Sequence, residues 1–124
     1  MLDNSLTSAS PPATSVQAGS VLLRRGEVVE RIVHVLQGRV LLGVMSDHHM
    51  AHPLGVVHGP CWLEAASGLL GLPHALDAVA ETDVQLNWVS LPEFLAEVQA
   101  MPMASQNLLR DMARSQRQQT ELAV

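Results

Sequence analysis

Between Ala18 and Val40 the chain reads AGSVLLRRGEVVERIVHVLQGRV, short apolar runs cut by Gly19, Gly26 and Gly38. Apolar side chains recur at every second position through Val33 and Val35, then Val40, Leu42 and Val44. A period of two places those side chains on one face of a strand, which a helix cannot do. The pattern predicts strands over Val21–Arg24, Arg31–Leu36 and Arg39–Met45. Arg25-Gly26-Glu27 is a turn and Gln37-Gly38 a tight hairpin turn, since glycine accepts positive φ. The expected form is a meander in a small β-roll.

Further along, Met50–Val57 reads as a strand interrupted by Pro53, which cannot donate to a ladder and so implies an edge or a bulge. His58-Gly59-Pro60 is a turn. Cys61 to Gly71 is ambiguous, with one or two helical turns closed by Gly68 or Gly71. Ala75–Glu81 and Val84–Val89 are the last strands, joined at Thr82-Asp83. The period then changes. Ser90-Leu91-Pro92-Glu93 is a capping box opening a helix that runs to about Ala100, and Pro102 separates it from a second helix. In that second helix Met101, Ser105, Leu108, Met112, Ser115, Gln119 and Leu122 follow alternating spacings of four and three, a weak coiled-coil seam. Its apolar members, Met101, Leu108, Met112 and Leu122, are the expected dimer contact. The alternative is one amphipathic helix lying on its own domain. Residues 1–15, rich in Ser, Thr, Ala and Pro, lack periodicity and read as a mobile arm. Residues 16–102 are then the roll with its short helices, and 103–124 the C-terminal helix.

The chain has 124 residues, enough for one domain with a modest core. With only Trp62, Trp88 and Phe94 as aromatics, that core is built from Leu, Val, Ala and Met. Net charge is −5, which does not favour nucleic acid. The local basic cluster, Arg110, Arg114 and Arg117, reads as a solvated helix face. A single cysteine, Cys61, excludes an internal disulfide and any site needing several thiolates. Between Pro60 and Trp62 it reads as a buried structural thiol. No apolar run is long enough for a membrane span, and the N-terminus lacks the pattern of a signal peptide, so the expected location is cytoplasmic.

The order of roll, short helix, two strands, helix and longer helix resembles the cyclic-nucleotide-binding domain of catabolite-activator-type (Crp/Fnr) regulators, over about residues 16–122. Ala18-Gly19 with Val21-Leu22 and Arg25-Gly26-Glu27 is similar to that family's first glycine-bounded hairpin. Ile32 to Val40 is similar to its next hairpin, with His34 where an aromatic is usual. Gly59-Pro60 resembles the turn entering the nucleotide pocket. The resemblance implies a mainly β fold, a double-stranded β-helix (jelly roll) followed by a long helix. It also implies a phosphate-binding cassette, Phe-Gly-Glu at a short helix and an Arg about ten residues on. There, helix-end amides and the Arg hold the cyclic phosphate, the Gly admits it, and the Glu takes the ribose hydroxyl.

Here the corresponding residues are Trp62-Leu63-Glu64 and Pro73-His74-Ala75. Only Glu64 is unchanged. Leu63 stands where the Gly should be, and His74 where the Arg should be. A charged bond lost at a buried phosphate costs on the order of 2–5 kcal/mol, or roughly 30- to 4000-fold in affinity. The expectation is a degenerate pocket lined by Trp62, Leu63, Glu64, Ala65, His74 and Ala75, with weak or no binding of cyclic AMP or cyclic GMP and no other cofactor. Glu64 can equally serve as a helix-start carboxylate. Regulators of this family continue into a helix-turn-helix domain, whereas this chain stops at Val124, so it is read either as a free-standing sensor domain or as a truncated regulator. No DNA reader is expected in it.

Four of the six histidines, His48, His49, His52 and His58, fall within eleven residues. A cupin-like metal site would need two His two apart and a third from a distant strand, but Met50 sits between His48 and His52. His34, His52, His58 and Glu64 would have to converge in a roll. A His-rich hairpin tip is the simpler reading, and no metal ligands are assigned. Haem serves some relatives of the family, and Cys61 or a nearby His would be its axial ligand, but no attachment motif is present. Asp77, Glu81 and Asp83 read as solvated. No nucleophile elbow, P-loop or dinucleotide fingerprint occurs. The expected function is therefore non-enzymatic: a regulatory or sensor domain, a homodimer, with a small-molecule effector possible. Alternatives are the metal-binding cupin and a ligand-free interaction module.

Overall fold

A computed structural model describes residues 13–124. Among them are eight strands: β1 (Thr14–Val16), β2 (Val21–Leu23), β3 (Arg31–Gln37), β4 (Arg39–Ser46), β5 (His49–His58), β6 (Cys61–Leu63), β7 (Asp77–Ala80) and β8 (Val84–Ser90). Three helices accompany them: α1 (Ala65–Leu70) between β6 and β7, then α2 (Leu91–Gln99) and α3 (Met103–Ala123). Two four-stranded sheets form, in the orders β1-β8-β3-β6 and β2-β7-β4-β5, every pairing antiparallel.

The pairing pattern is that of a hairpin wound into a roll. β1 pairs β8, β2 pairs β7, β3 pairs β6 and β4 pairs β5. This is the expected jelly roll, mainly β with C-terminal helices. It corrects the expected meander, because β3 and β4 lie in different sheets and do not pair. Gln37-Gly38 is a corner where the chain crosses between sheets. Gly38 holds φ +109°, and a Cβ there would lie 2.6 Å from the Asp83 carbonyl oxygen, so the corner admits only glycine. The Ala18–Glu27 segment is likewise no hairpin: β1 and β2 pair strands from the far end of the roll. Alternation reports which face a residue occupies, not which strand lies beside it.

β1 begins inside the segment expected to be a mobile arm. Thr14 and Ser15 pair with Leu86 and Gln85, and Val16 packs against the core. Three residues are too few to show a period. The rest of that arm, residues 1–12, lies outside the described residues. β5 is an edge strand with register shifts around Gly55 and Pro53, as Pro53 predicted.

The core between the sheets is Leu23, Val33, Val35, Val40, Leu63, Ala78, Ala80, Val84 and Leu86, all buried. Ile32 is also fully buried although it points to the opposite face of β3 from Val33 and Val35. Helices cover that face. Gly68 of α1 lets the helix approach so closely that a Cβ there would lie 3.0 Å from Leu91 Cδ1 and 3.5 Å from Ile32 Cγ2. The α2 cap forms as read: Ser90 Oγ accepts from the Glu93 amide at 3.3 Å, with Pro92 in the first turn. α3 lies along α1, burying Gln106 and Ala113. No helix among the described residues is long and apolar enough to cross a membrane.

Candidate functional site

The ambiguous segment Cys61–Gly71 resolves into an edge strand and a short helix. β6 pairs β3 through Val33↔Leu63 and His34↔Trp62. This puts the Leu63 side chain into the core and Trp62 on the outer face. Trp62 stacks on His34, with ring centroids 4.3 Å apart and planes within 5°, and tilts against Phe94 at 6.5 Å. The histidine at the usual aromatic position thus keeps an aromatic role. Cys61 is half-buried, and burial pushes its thiol pKa up, so it is a packing group rather than a thiolate.

Glu64 joins β6 to α1 in the left-handed conformation, φ +68° and ψ +16°. Its carboxylate over-determines that backbone. Oε1 accepts from the Ala75 amide at 2.9 Å, and Oε2 accepts from Ser67 Oγ at 2.7 Å. His74 Nδ1 lies 3.1 Å from Oε1 but off the direction of a hydrogen bond, and has no other partner among the described residues. Burial alone would raise the Glu64 pKa. The approach of His74 and the bonds from Ser67 and Ala75 outweigh it and hold the carboxyl below its ordinary 4.5. His74 itself is clamped to the β2–β3 loop: its amide donates to Glu27 O at 2.9 Å and its carbonyl accepts from Gly26 N at 2.9 Å.

The largest surprise is Arg117. Its Nη1 donates to Ser67 Oγ at 2.8 Å and to Pro73 O at 2.6 Å, and its Nε donates to Glu121 at 3.1 Å. The side chain is only 14% exposed. The expected solvated face therefore fails at Arg117. It holds for Arg114, which pairs with Asp111 in water, while Arg110 is half-buried beside Gln106. A chain of polar contacts runs from Ala75 through Glu64 and Ser67 to Arg117, tying the short helix to the last turns of α3. In the acidic trio the solvated reading fails at Asp77 alone, since Glu81 and Asp83 are exposed. Asp77 is buried and ties the turn after β2 to β4, its Oδ1 accepting from Arg25 N at 2.8 Å and its Oδ2 from Met45 N at 2.7 Å. Asp83 accepts from Ala18 N, and Glu81 pairs with Arg39.

Beside this network lies a cavity of about 230 Å³. Of the residues expected to line a pocket, Trp62, Leu63, Glu64, Ala65 and Ala75 do so. His74 does not: it is buried behind the cavity, against Arg25 and Gly26. The cavity's other wall comes from Leu23, Leu42, Val57, Leu76 and Ala78 of the roll and from Gln116, Arg117 and Thr120 of α3. Sequence reasoning missed that α3 wall. Its signal was present in the spacing of Gln106, Leu109, Ala113, Arg117 and Thr120, the stripe that faces the domain.

Of the expected seam, Leu108, Met112 and Leu122 lie on the other side of α3, whereas Met101 precedes the helix. Met101, Leu108, Met112 and Leu122 are 40%, 60%, 59% and 89% exposed. Among the described residues no group of three or more His, Cys, Asp or Glu side chains converges as a metal site. His48, His49, His52 and His58 are spread along β5 and its preceding turn.

No family model and no curated protein matches this sequence. Solved structures match the fold. The cGMP-bound form of the EAL enzyme Bd1971 is similar at TM-score 0.75 and 19% identity, covering 90% of this chain and 30% of that one. The sensor domain of the transcriptional regulator DNR from Pseudomonas aeruginosa is similar at TM-score 0.68 and 17% identity, covering 88% and 73%. The cAMP-bound structure PfPKA-R (141-441) is similar at TM-score 0.59 and 18% identity, covering 68% and 30%. The chain spans under a third of the Bd1971 chain in that comparison. The fold is that of a cyclic-nucleotide-binding-like jelly roll.

Proposed function

We propose that this chain is a sensor domain of the Crp/Fnr type, non-enzymatic, whose pocket has lost tight cyclic-nucleotide binding and whose output element is α3. The observation that carries the reading is the chain of bonds Glu64–Ser67–Arg117. The Glu64 carboxylate, which the resemblance assigns to a ribose hydroxyl, is spent on Ser67 and Ala75. The position that should offer a phosphate-binding arginine carries His74, which does not line the cavity. The nearby guanidinium instead comes from α3, and its Nη1 donates to Ser67 and Pro73. A change in the cavity would be felt by α3 through that contact. The exposed apolar seam Met101, Leu108, Met112 and Leu122 supports pairing with a second copy.

Hydrogen exchange on Arg117→Gln tests the coupling. Amides of α1, some fifty residues away in sequence, are expected to exchange faster together with those of residues 115–123. Faster exchange confined to α3, with α1 unchanged, would show that the two elements are not coupled and would remove the proposed output path.

A further inference from the structure

We propose that the cavity takes a small neutral molecule with an apolar body and a single hydrogen-bond acceptor, held between the roll and α3. The inference rests on the sensor reading above and names the ligand class for the same cavity.

Size comes first. At about 230 Å³ the cavity lies below the roughly 300–1,000 Å³ usual for drug-sized ligands. Its roll wall is aliphatic: Leu23, Leu42, Val57, Leu63 and Leu76. That surface rewards apolar contact and offers nothing to a phosphate or a sugar.

Charge decides the rest. The cavity's charged side chains are Glu64 and Arg117. Both Glu64 oxygens already accept hydrogen bonds from Ser67 and Ala75. Arg117 is balanced by Glu64 across the shared Ser67 hydroxyl and by Glu121 directly. His74, which packs against Glu64, and Arg25 lie outside the cavity, in the groove behind Pro73. An entering anion would therefore sit beside a carboxylate with no unmatched cation to receive it, a costly arrangement in a desolvated site. Arg117 uses Nε and Nη1 on the protein, while Nη2 has no hydrogen-bond partner among the described residues. A carbonyl or ether oxygen can accept from Nη2 without bringing charge.

Calorimetric titration of the native domain with 2-heptanone, 2-octanone and octanoate tests this, with cyclic AMP titrated in parallel. Saturable binding of 2-octanone is expected, tighter than 2-heptanone by roughly fourfold for the added methylene. Octanoate should bind at least about tenfold more weakly than the ketone. Arg117→Met keeps an apolar stem and removes the donors, and should weaken 2-octanone by about two- to tenfold. Octanoate binding as tightly as the ketone would overturn the proposal, and so would silence from both ketones up to their solubility. The native comparison needs no variant, so a misfolded Arg117→Met leaves the test intact. Silence from the ketones and from cyclic AMP would sink this inference alone. Micromolar binding of cyclic AMP would sink the loss of nucleotide binding on which it rests.

Discussion

Glu64 occupies a left-handed conformation that costs a non-glycine residue on the order of 1–3 kcal/mol. The side chain repays this through Ser67 and Ala75, so the residue is a structural hub. Because the folded Glu64 pKa is lowered, its stabilisation is fully present above the ordinary carboxylate range and is lost as pH falls through the folded value. Glu64→Gln should therefore be less stable than the native domain near pH 7 and show a shallower loss below about pH 4.5. Urea unfolding at a series of pH values checks this, and parallel acid limbs for both proteins would contradict it. Arg117→Gln should lose about 1–3 kcal/mol, mostly from the contacts to Ser67 and Pro73, since Glu121 is largely exposed and its pair is screened. Loss below the error of the urea fit would mean the guanidinium contacts are dispensable. Glu64 was legible as a residue to watch, because a lone carboxylate survived in a cassette that had otherwise changed. Arg117 was not, because three arginines on one helix look alike until the helix is docked.

At the scale of elements, the strands other than β1 and β6 were legible because half-buried strands imprint a period of two on Val33, Val35 and Val40. Their partners were not, because β3–β6 and β2–β7 join residues far apart in sequence, and nothing local marks the crossing at Gly38. That crossing makes a firm prediction. Gly38→Ala must hold φ +109° and push its methyl group against the Asp83 carbonyl and Val84. It should cost more than about 2 kcal/mol in chemical denaturation. A hairpin at this position would tolerate alanine better, so a loss under about 0.5 kcal/mol would contradict the corner. The short β6 and α1 stayed ambiguous because six residues of helix carry too little period to register, and because Ile32, buried on the outer face, blurs the alternation of β3.

The molecule as a whole is a jelly roll with one helix that looks two ways. α3 turns Arg117 and Ala113 to the domain and leaves Leu108, Met112 and Leu122 in water. A stripe of that length on an isolated chain invites a partner. Leu108→Glu with Met112→Glu is expected to convert a dimer to a monomer in sedimentation equilibrium without loss of the folded roll, and a native chain that sediments as a monomer would remove the pairing. The central claim, however, concerns the pocket. In the proposed reading, a cavity lined largely by leucine and alanine, a Glu64 carboxylate bonded within the protein and a His74 outside the lining disfavour a cyclic phosphate. Calorimetric titration of the native domain with cyclic AMP tests that claim most directly. The account predicts no saturable heat up to about 1 mM, given an affinity loss on the order of 30- to 4000-fold. Stoichiometric binding at micromolar concentration would contradict it.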